Sequence, residues 1–171
     1  AHKRGGLLLV VPEASESWRE SIMYPMKYSV IPGASELADL MQQDESEKEN
    51  SVWQTNLNRE IESIAGLTAI DGATVISDRH ELLAFGAKIV RPFSNEMVGQ
   101  IITTEPVVGS GSLIAHPSNN GGTRHTSAAQ FVHDQRNALA LVASQDGHFT
   151  VFTWSECEGM VHAHRIDTLL V

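Results

Sequence analysis

A single cysteine, Cys157, occurs in the 171 residues. An internal disulfide framework is thereby excluded, and such usage suits a reducing compartment. Long hydrophobic runs are missing as well: none approaches the roughly 18 to 20 residues that a spanning helix needs. The apolar run Leu7 to Val11, behind the charged start Ala1 to Arg4, is too short for a signal-peptide core. The cytoplasm is therefore the expected location, with no membrane partner. Basic charge is scarce, 12 Lys and Arg against 21 Asp and Glu, for a formal charge of −9. That balance speaks against broad nucleic-acid binding, which calls for a basic face. It leaves room for a small polyphosphate, which a few backbone N–H groups, one arginine and a metal can hold. Aromatics are few, and Trp18, Trp53 and Trp154 are too scattered for a base-stacking platform. They read as core or adenine-pocket residues.

What is present is ordinary globular composition, 42% hydrophobic and 19% charged, in a length that suits one domain over residues 1–171. The chain opens almost directly on a strand, so a domain excised from a longer protein is expected. Leu7 to Val11, between Gly5-Gly6 and Pro12, reads as a strand buried on both faces. Ser35 reads as the N-cap of a short helix over residues 36–41. The charged run from Asp44 to Asn50 reads as a solvated loop. Apolar positions Leu57, Ile61, Ile64, Ala65 and Thr68 define one face of a helix that ends before Asp71-Gly72.

A strand over Ala73 to Ile76, a turn at residues 78–81 and a partner strand over Leu82 to Val90 follow. Residues 91–122 show little periodicity, and so long a stretch is either functional or hides a short element. Beyond Gly121-Gly122 the spacing of Ala128, Ala129, Phe131, Val132 and Gln135 predicts a helix. A buried strand over Ala138 to Ala143, a hairpin turn at Asp146-Gly147, a strand over His148 to Trp154 and a last strand within residues 160–171 complete the chain. The sum is an α/β (α+β) domain with a central mixed sheet flanked by helices.

Three groups of residues could carry chemistry. In Asp71-Gly72-Ala73 a carboxylate stands at a helix-to-strand junction, and glycine lets the backbone pass close to a ligand. One such oxygen suits a hard divalent cation bound with nucleotide phosphates; a plain Asp-Gly turn is the simpler alternative. In Gly121-Gly122-Thr123-Arg124-His125-Thr126-Ser127, glycines and free N–H groups at a helix entrance can approach phosphate. Arg124 can pair bidentately with it, and Thr123 and Ser127 add hydroxyls. The alternative is a glycine loop with a threonine N-cap and an exposed arginine. The third group is Cys157, His162 and His164: two imidazoles on one strand face can share a metal, but no fourth ligand is evident. His133, on the helix after the glycines, reads as a bland surface or packing residue.

Taken together, Gly6 to Val11, Ile61 to Ile76 with its Asp-Gly-Ala, Gly122 to Phe131 with its Gly-Thr-Arg-His, and Asn137 to Phe152 resemble the diadenylate cyclase domain. This is the N-terminal domain type of the DNA-integrity scanning protein. The resemblance spans most of the chain, although residues 12–56 match little. It implies a nucleotidyltransferase that condenses two ATP into cyclic di-AMP and pyrophosphate with Mg²⁺ or Mn²⁺. Asp71 would hold the metal and help activate a ribose 3′-hydroxyl. Gly72 and Ala73 would line the nucleotide, with Gly121 and Gly122 at the phosphate loop. Thr123, Arg124 and His125 would contact phosphates, with Thr126 and Ser127 beside them. Two domains would have to meet face to face, because each holds one ATP.

The sequence departs from the family in two places. Where the family reads Arg-His-Arg, this chain has Arg124-His125-Thr126, so one guanidinium is missing. Where many members read Ser-Glu-Glu-Thr-Gly, this chain has Ser144-Gln145-Asp146-Gly147. An alternative therefore stands beside the cyclase: a catalytically degenerate sensor that binds ATP or a cyclic dinucleotide and signals to an attached domain.

Overall fold

The computed structural model describes residues 5–145 and 147–166. Strand β1 (Gly6–Val11) lies inside the sheet, parallel to β3 (Ala73–Ser77) and antiparallel to β7 (Leu139–Ala143). Around this centre the order is β2-β4-β3-β1-β7-β8-β9-β5-β6, one nine-stranded mixed sheet. Here β2 is Tyr28–Ala34, β4 Leu82–Ala87, β5 Ile101–Thr104, β6 Leu113–Ala115, β8 Phe149–Ser155 and β9 Met160–Arg165.

Two longer helices cover the sheet. Helix α3 (Ser51–Thr68) packs on β1, β3 and β4, whereas α4 (Thr123–Asp134) packs on β7, β8, β9 and β1. They lie on opposite faces of β1, as strand alternation requires. A side chain at Gly6 would meet Thr68 of α3, while Leu7, Leu9 and Val11 point the other way. Those three are buried with Ala128, Ala129, Phe131 and Val132 of α4 and with Val75, Val142, Phe152 and Val161. The continuous apolar run of β1 is thus explained by cover on both sides.

Several elements differ from their sequence reading. Helix α3 begins at Ser51, not Leu57, because the Asn50 side chain accepts the Val52 N–H at 2.9 Å and caps it. Its sheet-facing stripe also differs, since Ile61 is 48% exposed and Trp53 is the residue it buries. The run read as a loop contains one helical turn, α2 (Glu45–Lys48), with no buried residue and a Lys48–Glu45 ion pair of 2.8 Å. Helix α1 (Glu36–Met41) does start after Ser35, but the Ser35 hydroxyl bonds Asp39 and caps no N–H.

Strand β2 gave no signal in the sequence. It holds Pro32 and Gly33 and none of its residues is buried, which an edge strand tolerates and a central one does not. Strand β4 ends at Ala87, short of Val90. The aperiodic stretch 91–122 conceals β5, β6 and a 3₁₀ turn at Pro117–Asn120. These are held by pairing with β9 and with each other, not by any local pattern. The hairpin expected at Asp146-Gly147 joins β7 to β8, although Asp146 itself lies outside the described residues. Among the described residues, no helix is long and apolar enough to cross a membrane.

Candidate functional site

Sheet register decides which chain ends meet. Gly6 pairs with Ala143, Leu8 with Thr74, and Ala73 with Ala87. The start of β1, the start of β3, the end of β4 and the end of β7 therefore share one edge of the sheet. The residues just outside these strands, Asp71-Gly72, Lys88 and Ser144-Gln145, gather there as a consequence. The N-terminus of α4 reaches the same edge and closes it. Between them lies a cavity of about 650 Å³. Asp71, Gly72, Ala73, Lys88, Thr123 and Arg124 line it, with Gly122, His125, Ser127 and Gln145.

Glycine is required at the floor. Gly72 has φ +123°, and a Cβ there would stand 2.5 Å from the Gly86 carbonyl carbon and 2.9 Å from the Ala87 nitrogen. Only a residue without a side chain allows β3 and β4 to approach so closely. Gly5 lies equally close to its neighbours: a Cβ there would be 2.8 Å from the Ala143 oxygen and 3.0 Å from Arg124 Nη1. Arg124 is half-buried over this corner. Among the described residues its guanidinium has no ion-pair or hydrogen-bond partner, so its donors are free for a ligand.

Helix α4 begins at Thr123 with Gly122 as N-cap, and no side chain caps its first turn. Unsatisfied N–H groups and the positive end of the helix dipole therefore adjoin the cavity beside Arg124, an arrangement suited to an anion. Opposite them, Lys88 pairs with Asp71 through Nζ and Oδ2. That hydrogen bond, and next the Lys88 charge, hold the Asp71 carboxyl below the usual carboxylate range; desolvation opposes them, and Arg124 adds a smaller lowering. Because Asp71 is largely exposed, the pair adds little to fold stability.

No family model matches the chain, and no curated protein matches it. Function must therefore be argued from the chemistry of this edge.

Most of the residues singled out in the sequence do meet here. Gly121 and Thr126 are not among the lining residues. Gly121 serves the site indirectly, since a Cβ on it would fall 2.4 Å from Nδ1 of His125. His125 itself is 4% exposed, edge-on to Phe152 and 3.5 Å from the Thr150 hydroxyl, so its ring props the start of α4 from inside. None of the three tryptophans lines the cavity. Trp18 is core, and Trp53 donates to the Leu40 carbonyl at 3.0 Å. His133 packs edge-on to Trp154.

His162 and His164 do stack on one face, 3.9 Å apart, and both share the Thr104 hydroxyl. Cys157 is exposed, and among the described residues no group of three or more His, Cys, Asp or Glu could hold a metal. That finding also bears on Asp71, which among the described residues is the sole carboxylate in the cavity lining. Lys88 is the residue that sequence reading missed. A lysine after a strand is ordinary surface composition, and only the β3–β4 register brings it to Asp71.

Proposed function

We propose that this edge cavity binds a nucleotide, and that the domain is a nucleotide-sensing relative of the diadenylate cyclase domain with the fold of that family. The observation that carries the reading is the shared cavity itself. Asp71-Gly72-Ala73 and Gly122-Thr123-Arg124, far apart in sequence, line one space of about 650 Å³, within the roughly 300–1,000 Å³ usual for small-ligand sites. An uncapped helix N-terminus, a free guanidinium and close-packed glycines there suit phosphate, and apolar Leu7, Ile89 and Val142 in the lining suit a base or ribose face.

Sensing is favoured over synthesis by two features. Thr126 stands where the family carries a second arginine and is not in the lining, and Asp71, the lone carboxylate of the lining among the described residues, is engaged by Lys88. Titration calorimetry with ATP and with cyclic di-AMP tests the reading. Binding of either, weakened about tenfold or more in Arg124→Ala, is the expected result. Absence of binding to both nucleotides would overturn it.

The cyclase reading keeps one observation of its own, an aspartate and an arginine facing a common cavity. In that reaction each ribose 3′-hydroxyl attacks the α-phosphate of the other ATP and pyrophosphate leaves, with two domains face to face. Cyclic di-AMP detected by mass spectrometry after incubation with ATP and Mn²⁺ would establish synthesis over sensing.

A further inference from the structure

The position of Lys88 is built into the sheet. Its carbonyl accepts the Met23 N–H at 2.8 Å, and the next residue, Ile89, bridges to Ile22. On the other side, the approach of Gly72 to Gly86 draws the end of β4 against the Asp71 turn. Backbone contacts on both sides thus fix the stem from which the ammonium reaches Asp71.

The charge of the cavity follows. Among the described residues its lining holds one carboxylate, Asp71, and two basic side chains, Lys88 and Arg124. A cationic pocket in a chain of formal charge −9 is a local exception. It points to an anionic occupant. A divalent cation at this place needs carboxylate oxygen, and among the described residues Asp71 offers the only such group in the lining. The Lys88 ammonium already bonds Oδ2 of that carboxylate, so a metal on Asp71 would stand beside it, like charge against like. Among the described residues, the lining thus offers an ammonium more readily than a metal site as countercharge.

We infer that Lys88 stands in for the metal: the cavity takes its phosphate-bearing ligand in metal-free form, with the Lys88 ammonium and the Arg124 guanidinium as countercharge. This inference rests on the nucleotide-binding reading above. A lysine is a compact point charge that binds phosphate without fixed geometry, while the arginine fork sets orientation. Asp71 is then a positioning residue that holds Lys88 toward the cavity.

Calorimetry at constant ionic strength separates the possibilities, with ATP and cyclic di-AMP each titrated into the chain in EDTA and in Mg²⁺. The expected result is binding in EDTA at least as tight as in Mg²⁺, with Lys88→Met weakening binding in EDTA about tenfold to a hundredfold and Lys88→Arg retaining most of it. Retention in the arginine variant shows that charge is what was lost, not the fold. Binding that requires Mg²⁺ would overturn the inference and leave the nucleotide reading intact. Metal-free binding indifferent to Lys88→Met would overturn it too. Absence of binding in both buffers would remove both readings together.

Discussion

Replacing Gly72 by alanine tests whether the floor of the cavity is set by backbone contact. The new methyl carbon would stand 2.5 Å from the Gly86 carbonyl carbon, 2.8 Å from its oxygen and 2.9 Å from the Ala87 nitrogen. All three are main-chain atoms of β4, so no side chain can swing aside. Position 72 also has φ +123°, outside the regions open to L side chains. Strain of that kind costs about 1–3 kcal/mol, and overpacking of an ordered interior costs about 1–3 kcal/mol more. A loss of about 2–6 kcal/mol is expected.

Gly159→Ala supplies the control. Its φ of +62° lies in the left-handed helical region, and nothing stands within 4 Å of a Cβ there, so about 1 kcal/mol is expected from backbone conformation alone. Urea denaturation of both variants measures the difference, with an unchanged slope certifying that stability alone moved. If Gly72→Ala lost no more than Gly159→Ala, the close approach of β3 and β4 would not be what defines this edge.

Two other perturbations test parts of the molecule away from the cavity. The Asp134 side chain is fully buried and accepts from Asn95 Nδ2 at 2.9 Å and from Gln130 Nε2 at 3.0 Å, tying the segment before β5 to α4. Asp134→Ala leaves those donors unsatisfied and should cost about 3 kcal/mol in urea denaturation; a loss under about 1 kcal/mol would refute the anchoring role. Burial holds the His162 and His164 imidazoles below their usual range, with the neighbouring ring charge adding to the effect on His162. A lowered folded value means that the unfolded chain binds the extra protons. The related stability is thus present above about pH 6.5 and lost as pH falls through the folded values. Denaturation midpoints at about pH 7.5 and pH 5 should fall less in His164→Gln than in the wild type, and an identical fall would refute the assignment.

The sequence by itself determined the features that rest on local chemistry. The unbroken apolar run of β1 demanded cover on both faces. Gly121-Gly122 followed by helical spacing marked the start of α4, and Asp71-Gly72 marked the junction into β3. In each case neighbouring residues carry the cause, so a linear reading suffices. It also marked both segments that line the cavity, Asp71-Gly72-Ala73 and Gly122-Thr123-Arg124.

Long-range pairing had to supply the rest. Strands β5 and β6, of four and three residues, are too short to show a period and exist because β9 pairs with β5 and β5 with β6. Edge strand β2 carries a proline and no buried residue, so it lacks the alternation that betrays a half-buried strand. His125 and Arg124 both line the cavity, but only tertiary packing shows that the His125 ring also stands edge-on to Phe152 and is nearly buried. Lys88 is the clearest case. Its residue type says nothing, and its meaning comes from the pairing of Ala73 with Ala87, which sets an ammonium against the one carboxylate that the sequence had already marked.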